Sequence, residues 1–122
     1  MKIYLSHSGN YDYESELYTL LRASALARTH QIFFPHDKEN IDVNTRSLIE
    51  HSDLVLAEVS YPSTGQGIEL GRASASGTPI LCFYKTGSKI SSSLRFVATD
   101  FLEYTNAEDM LSKLETHLVA RG

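Results

Sequence analysis

The chain has 122 residues, of which 42% are hydrophobic and 21% are charged, and this composition indicates one globular domain spanning residues 1–122. The formal net charge is −4 and the basic residues are scattered, so no electrostatic footprint for DNA or RNA binding is present. The single cysteine excludes an internal disulfide framework and a cysteine-based zinc site.

Strands and helices alternate along the chain, with short connections between them. Strands are predicted on short apolar runs, and helices on apolar residues at helical spacing. The last helix is predicted to begin with a capping box of Thr105 and Glu108. The pattern predicts an α/β fold, with an open five-stranded parallel sheet flanked by helices, of the Rossmann or flavodoxin type. In chain order, the strands are 2–6, 31–35, 53–60, 79–84 and 98–104, and the helices are 14–29, 40–51, 67–76 and 105–120.

Ligands bind at the carboxyl ends of the strands in such a sheet. The third strand ends in "YPSTGQG", where Gly65 and Gly67 let the backbone turn tightly and approach a ligand. Ser63 and Thr64 add hydroxyl groups, and the next helix presents free N–H groups and the positive end of its dipole. We therefore expect a cradle for an anion or a sugar phosphate, although the spacing matches neither G-x-G-x-x-G nor a P-loop.

Glu69 stands at the predicted start of this helix, and two interpretations of it are open. A structural acid would pair with the helix dipole or complete a capping box, but the box requires Ser or Thr at the position of Gln66. A functional acid would face the cradle, where the dipole keeps the carboxylate ionised as a nucleophile requires. Spacing alone favours neither interpretation.

The block "SDLVLAEVSYPSTGQGIELGRASASGTPILCFY" resembles the central signature of the nucleoside 2-deoxyribosyltransferase superfamily. It is most similar to the branch of 2′-deoxynucleoside 5′-phosphate N-hydrolases. The resemblance is dense from Asp53 to Tyr84 and thin over most of the remaining chain. It implies cleavage of an N-glycosidic bond, in which a carboxylate attacks C1′, the base departs, and water or a second base resolves the glycosyl-enzyme. The resemblance puts Glu69 in the position of that nucleophile.

The resemblance also implies roles for other residues. Tyr4 matches a strand tyrosine beside the nucleophile, and His36 matches a histidine that lines the base pocket. Ser63 matches a phosphate-binding serine of the hydrolases, where transferases acting on free nucleosides carry an acid. Ser91 matches a serine donated across a dimer interface to the phosphate, a role that Ser92 or Ser93 could also fill, and this implies a homodimer with a shared active site. The candidate substrate-binding residues are Ser8, Gly9, His36, Ser63, Gly65, Gly67 and Ser91.

The sequence departs from the family pattern in the helix before the third strand. Family enzymes carry a second acid eight residues before the aspartate that starts this strand, here Asp53, and that position is Thr45. Asp42 lies one turn earlier on the same predicted helix face and is the candidate catalytic substitute, with an ordinary helix-start role as the alternative. His7 stands where a glycine is common, and Glu58 is expected to be a structural or subunit-contact acid.

The predicted function is hydrolysis of the N-glycosidic bond of (2′-deoxy)ribonucleoside 5′-monophosphates by the nucleophile Glu69, with Tyr4 and Asp42 assisting. A deoxyribosyltransferase that exchanges bases and a non-catalytic nucleotide-binding module are the alternatives. No cofactor or metal is expected, because no cluster of ligands has suitable spacing. No apolar run reaches the ~20 residues of a membrane-spanning helix, so no membrane partner is expected. The N-terminus lacks the apolar core of a secretory signal, which indicates a cytoplasmic protein.

Overall fold

The computed structural model describes residues 1–121, in which five parallel strands form one sheet. The strands are β1 (Lys2–His7), β2 (Gln31–Phe33), β3 (Leu54–Glu58), β4 (Ile80–Lys85) and β5 (Asp100–Tyr104). Their order across the sheet is β2-β1-β3-β4-β5, and each neighbouring pair is parallel. The predicted α/β fold is confirmed. Because β2 and β3 lie on opposite sides of β1, the carboxyl ends of β1 and β3 form the topological switch point of the sheet.

Within residues 1–121, five helices cover the two faces of the sheet. They are α1 (Thr19–Ala23), α2 (Ala25–Thr29), α3 (Thr45–Glu50), α4 (Thr64–Ala75) and α5 (Ala107–Arg121). A π-helical turn precedes α1, and two 3₁₀ turns lie in the loops that follow β2 and β4; their bounds are Glu14–Tyr18, Lys38–Asn40 and Ser92–Phe96. No helix in this part of the chain is both long and apolar enough to cross a membrane.

The side chains of β1 are divided between two hydrophobic cores. Ile3 and Leu5 pack with residues of α1, α2 and α5, whereas Tyr4 packs with residues of α3 and α4. This division follows from the strand pleat, which points successive side chains to opposite faces of the sheet. Every residue of β3 is buried, because helices cover both faces of this central strand. The pleat therefore directs Tyr4 toward α4.

Two helices end or begin elsewhere than predicted, because polar side chains interrupt or cap them. The predicted helix 14–29 is broken at Ser24, whose backbone is extended and whose hydroxyl donates to the carbonyl of Leu21 at 2.7 Å. The predicted helix 40–51 begins only at Thr45, because the side chain of Asn44 accepts two backbone N–H groups of the first turn. Asp42 therefore lies in the exposed turn before α3, and its predicted place on a helix face is wrong.

The capping of α5 also differs from the prediction. The side chain of Asn106 accepts the N–H of Asp109 at 2.8 Å, and the carboxylate of Asp109 accepts the N–H of Thr105 at 2.9 Å. The helix consequently begins at Ala107, and the predicted capping box of Thr105 and Glu108 is wrong.

Candidate active site

Glu69 lies in the second turn of α4, opposite the carboxyl-terminal half of β1. The Tyr4 hydroxyl donates a hydrogen bond to Oε2 of Glu69, and the Ser6 hydroxyl donates to Oε1 at 2.9 Å. Tyr4 and Ser6 are alternate residues of β1, so the pleat points both of them toward α4. Each carboxylate oxygen thus has one hydroxyl donor, and the two donors fix the orientation of the carboxylate.

The N-terminus of α4 lies earlier than predicted. Ser63 caps the helix by accepting the N–H of Gln66 at 3.3 Å, and the first helical residue is Thr64. The predicted glycine-rich loop is therefore the first turn of the helix, and its free N–H groups lie near Ser63 rather than at Glu69. The spacing from Ser63 to Gln66 is the S-x-x-Q pattern of a capping box, a signal that could have located this helix start.

Gln66 is a site residue that the sequence analysis missed. Its side chain is buried, and Nε2 donates to the carbonyl of Glu58 at 2.7 Å and to the carbonyl of Ser6 at 3.3 Å. These carbonyls belong to β3 and β1, the two strands of the switch point. The amide therefore holds the first turn of α4 against both strands of the switch point. In a capping box, the side chain of Gln66 would instead bond the backbone N–H of Ser63.

Burial raises the pKa of Glu69, and the hydrogen bonds from Tyr4 and Ser6 oppose that rise, with smaller contributions from the charges of His36 and Arg72. From the sequence, the helix dipole is expected to keep this carboxylate ionised. Glu69 lies beyond the first turn, where the effect of the dipole is weak. The two hydroxyl donors are therefore the main contributions that lower its pKa against the rise caused by burial. Burial and the neighbouring carboxylate raise the pKa of Tyr4, which keeps its hydroxyl protonated as a donor.

A pocket of about 300 Å³ opens beside Glu69 at the switch point. It contains five of the residues that the sequence analysis selected, and they come from the loops after β1 and β2 and from the start of α4. The topology of the sheet brings these separate segments together. The lining residues are His7, Gly9, His36, Ser63, Gly65, Gln66 and Glu69.

A second cleft of about 470 Å³ lies on the other side of the α4 N-terminus and shares Ser63 and Gln66 with the first. Its walls are largely apolar and come from α4, from the end of β3 and from the turn that follows Ser91. Two predicted residues, Gly67 and Ser91, lie here rather than beside Glu69. The other lining residues are Val59, Pro62, Thr64, Leu70, Gly71, Ser93, Leu94 and Val97.

Three predicted site residues line neither cleft. Tyr4 is buried and reaches the site through its hydrogen bond to Glu69. Ser8 is buried, and its hydroxyl accepts the N–H of Asn10 at 3.0 Å. Asp42 is exposed in the turn before α3. Thr45 stands at the position of the family acid, and its side chain lowers the pKa of Tyr4 against the larger rise caused by burial.

His7 organises the loops around the pocket, a role that the sequence did not reveal. Its Nδ1 bonds the carbonyl of Ser8 at 2.9 Å, and its Nε2 bonds the hydroxyl of Tyr18 at 2.6 Å. The same Tyr18 hydroxyl accepts the backbone N–H of His36 at 3.0 Å. Burial lowers the pKa of His7 to about 4, so the ring is neutral near pH 7. A neutral ring with its proton on Nδ1 satisfies all three hydrogen bonds.

Glu58 lies at the end of β3, and it does not line the pocket. It accepts the N–H of Ser60 at 2.6 Å, the hydroxyl of Ser60 at 2.9 Å and the hydroxyl of Tyr104. Burial raises the pKa of Glu58, and these hydrogen bonds lower it. The carboxylate therefore ties β3 to β5, which agrees with the structural role expected for this residue.

Two solved structures share the fold of this chain. A CMP N-glycosidase of Clostridium botulinum superposes with a TM-score of 0.70 at 20% identity, over 94% of this chain and 99% of the other. A 2-deoxyribosyltransferase of Bacillus psychrosaccharolyticus superposes with a TM-score of 0.64 at 21% identity, over 90% of each chain. At these identities, the likeness establishes the fold alone.

Curated relatives give closer sequence matches over shorter segments. The 5-hydroxymethyl-dUMP N-hydrolase of Rattus norvegicus is 46% identical over 52 residues, which cover 41% of this chain and 32% of the relative. The putative 2′-deoxynucleoside 5′-phosphate N-hydrolase 1 of Trichoplax adhaerens is 30% identical over 90 residues, which cover 70% of this chain and 62% of the relative. The chain thus spans less than two thirds of the length of these relatives. The family model described as nucleoside 2-deoxyribosyltransferase matches residues 3–114, and the chain therefore belongs to this family.

Proposed function

We propose that the protein hydrolyses the N-glycosidic bond of nucleoside 5′-monophosphates, releasing the free base and the sugar 5-phosphate. The observation that carries the proposal is the carboxylate of Glu69, which Tyr4 and Ser6 hold at the edge of an open pocket. The names of the curated relatives, which are N-hydrolases of nucleotides, support a monophosphate as substrate.

In the proposed reaction, Glu69 is the nucleophile. One carboxylate oxygen forms a bond to C1′ while the C1′–N bond breaks, and the electron pair of that bond leaves with the base. Water then attacks C1′, the bond to Glu69 breaks, and the carboxylate is regenerated. The hydrogen bonds from Tyr4 and Ser6 limit rotation of the carboxylate, so the attacking oxygen is oriented before the substrate binds.

Phosphate recognition is proposed at the N-terminus of α4. The Ser63 oxygen accepts the N–H of Gln66, which leaves its hydroxyl proton free to donate to a phosphate oxygen. The free N–H groups of the first turn and the positive end of the helix dipole add to the attraction. An uncharged serine at this position accommodates a phosphate, whereas an acid would repel it.

A homodimer is proposed to complete the site. Ser91 lies in the apolar cleft beside α4, and hydrophobic side chains are exposed on both elements that border this cleft. Ile68 on α4 is 53% exposed, and Phe96 in the turn after Ser91 is 74% exposed. A second copy seated on this face would cover them and bring its own Ser91 toward the phosphate site of its neighbour.

We propose the cytoplasm as the location, where the lone Cys82 stays reduced.

The experiment that tests the function is base release from a panel of substrates. The purified protein is incubated with each ribo- and deoxyribonucleoside 5′-monophosphate and with the matching free nucleosides, and free base is measured by chromatography. We expect release from at least one monophosphate, with no release by the Glu69→Gln variant and full release by the control Glu108→Gln, an exposed acid on α5.

The same panel separates the alternatives. Full activity of Glu69→Gln would contradict the proposed nucleophile. Tight binding of a monophosphate without release of base would favour a nucleotide-binding module, which the position of Asp42 outside both clefts also favours. Faster exchange than hydrolysis, after addition of a second free base, would favour a transferase.

A further inference from the structure

We propose that His36 is the general acid that protonates the departing base, and that it acts as the general base in the hydrolytic step. This inference rests on the proposed N-glycosidase function and adds a second catalytic residue to it. The reaction needs such a group, because the electron pair of the broken C1′–N bond leaves a negative charge on the base. Protonation of that base during departure removes the charge.

The side chains of the pocket leave few candidates for this role. Ser63, Gln66 and the two glycines carry no group that titrates near neutral pH. Both ring nitrogens of His7 are occupied, by the Ser8 carbonyl and the Tyr18 hydroxyl, and its buried ring stays neutral.

The groups next to the nucleophile are excluded as well. The Tyr4 proton is engaged by Glu69 itself, and burial and that carboxylate raise the pKa of the phenol. Thr45 carries a hydroxyl that does not titrate near neutral pH, and Asp42 lies outside the pocket. His36 is the remaining candidate among the lining residues.

The geometry of His36 suits proton transfer. Its backbone N–H donates to the Tyr18 hydroxyl at 3.0 Å, and this hydrogen bond holds the backbone of His36 in position. Its ring packs against the ring of His7, with centroids 4.5 Å apart, and meets the ring of Tyr13 edge-on at 5.0 Å. Among residues 1–121, no side chain or carbonyl takes a hydrogen bond from the His36 ring nitrogens, so they are free for a ligand. The residue is exposed, which allows it to regain its proton from solvent.

Gly9 keeps the approach to this ring open. A Cβ at position 9 would lie 3.5 Å from Cε1 of His36, so a larger side chain there would cover the edge of the ring that faces the loop after β1. His36 and Glu69 line the same pocket from different segments, and the charge of His36 lowers the pKa of Glu69. The two groups are therefore close enough to act on one substrate.

The proposed proton transfers balance across the two steps. As Glu69 bonds to C1′, the electron pair of the C1′–N bond goes to the base, the imidazolium of His36 gives the base a proton, and the ring becomes neutral. Water then attacks C1′ and breaks the bond to Glu69, and the neutral ring accepts the proton of that water. The enzyme returns to its starting state, and the net reaction is hydrolysis.

The test compares two leaving groups in three variants. The substrates are the best monophosphate of the panel and a 4-nitrophenyl glycoside of the same sugar 5-phosphate, whose nitrophenolate departs without protonation. The variants are His36→Asn, Glu69→Gln and the control His51→Asn, an exposed histidine after α3. We expect His36→Asn to lower kcat/KM, which reports on the step in which the leaving group departs, about 100-fold or more for the nucleotide and less than about threefold for the nitrophenyl substrate.

Each outcome is decisive. Equal losses of kcat/KM for both substrates, or no loss for either, would overturn the role of His36 as the acid, because a binding or structural residue does not distinguish leaving groups by their need for a proton. Glu69→Gln should lose both activities whatever the role of His36. Retention of both activities in Glu69→Gln would mean instead that the proposed nucleophile is wrong, so failure of the function and failure of this inference give different results.

Discussion

At the scale of single residues, two opposing effects set the ionisation of Glu69. Burial favours the neutral carboxyl, and the hydrogen bonds from Tyr4 and Ser6 favour the carboxylate. A nucleophile has to be ionised, so the two hydroxyl donors are as necessary to the proposed chemistry as the acid itself. The pH at which activity is lost on the acid side should therefore report on these donors.

Replacing Tyr4 by Phe removes one donor and leaves burial unchanged. We expect the pKa of Glu69 to rise further, so that the acid limb of the kcat/KM profile moves to higher pH. The lost bond to a charged group should weaken transition-state stabilisation by about 1.5–3 kcal/mol, which is roughly tenfold or more in kcat/KM. Tyr84→Phe, in a half-buried tyrosine of β4, is the matched control. An acid limb that stays in place in Tyr4→Phe would refute this role.

His7 gives a separate prediction for stability. Its pKa is about 4 in the folded protein, against an ordinary value of 6.5, so the unfolded chain binds this proton first as the pH falls. Stability should consequently decrease as the pH falls from 6.5 to 4, by about 3 kcal/mol for this residue. Urea unfolding at pH 7 and at pH 5 should show a smaller loss of stability in His7→Gln than in the wild type. The same pH dependence in both proteins would show that His7 does not titrate as described.

At the scale of elements, α4 carries the site, and it begins at Thr64, earlier than the predicted start at Gly67. The spacing of apolar residues predicts which segment is helical but carries no information on the polar residue that caps it. The spacing therefore predicts a start at Gly67, whereas Ser63 caps the helix. Glu69 and Ser63 were recognisable from a contiguous signature. Gln66 and His7 were not, because their partners are backbone carbonyls and a tyrosine that only the folded chain brings near.

The two roles of Ser63 can be separated by Ser63→Asp. Aspartate caps helices about as well as serine, so the free energy of unfolding should stay close to that of the wild type. Its negative charge would repel a phosphate, and KM for the monophosphate should rise about tenfold or more. Activity on a free nucleoside should not fall. Ser63→Ala, which should lose about 1 kcal/mol of stability, is the companion variant. An unchanged KM for the monophosphate in Ser63→Asp would place the phosphate elsewhere.

At the scale of the whole molecule, the open parallel sheet with flanking helices was predictable from the sequence. Continuous apolar runs such as that of β3 indicate strands buried on both faces, and strand–helix alternation leaves few topologies open. The sheet then assembles the pocket, because it places the ends of β1 and β3 side by side. The sequence did not predict which surface a second copy would cover, because the exposure of Ile68 and Phe96 becomes apparent only in the folded chain.

The proposed dimer is tested by charging its exposed apolar face. We expect the wild type to sediment as a dimer, and Ile68→Lys and Phe96→Lys to sediment as monomers, because a buried lysine would lack a partner. Val119→Lys, in an exposed apolar residue of α5, is the matched control and should remain dimeric. A monomeric wild type, or dimeric lysine variants, would contradict the proposed interface. The monomeric variants should also lose affinity for the monophosphate if Ser91 acts across the interface.

The central claim is that Glu69 becomes covalently bound to the sugar, and mass spectrometry tests it most directly. A 2′-fluoroarabino analogue of the preferred monophosphate is used, because fluorine destabilises the oxocarbenium-like transition state and slows hydrolysis of the intermediate. We predict the release of one equivalent of base and a fluorosugar-phosphate adduct on the peptide that contains Glu69, which Glu69→Gln does not form. Release of base without any adduct, or an adduct on a different residue, would contradict the account.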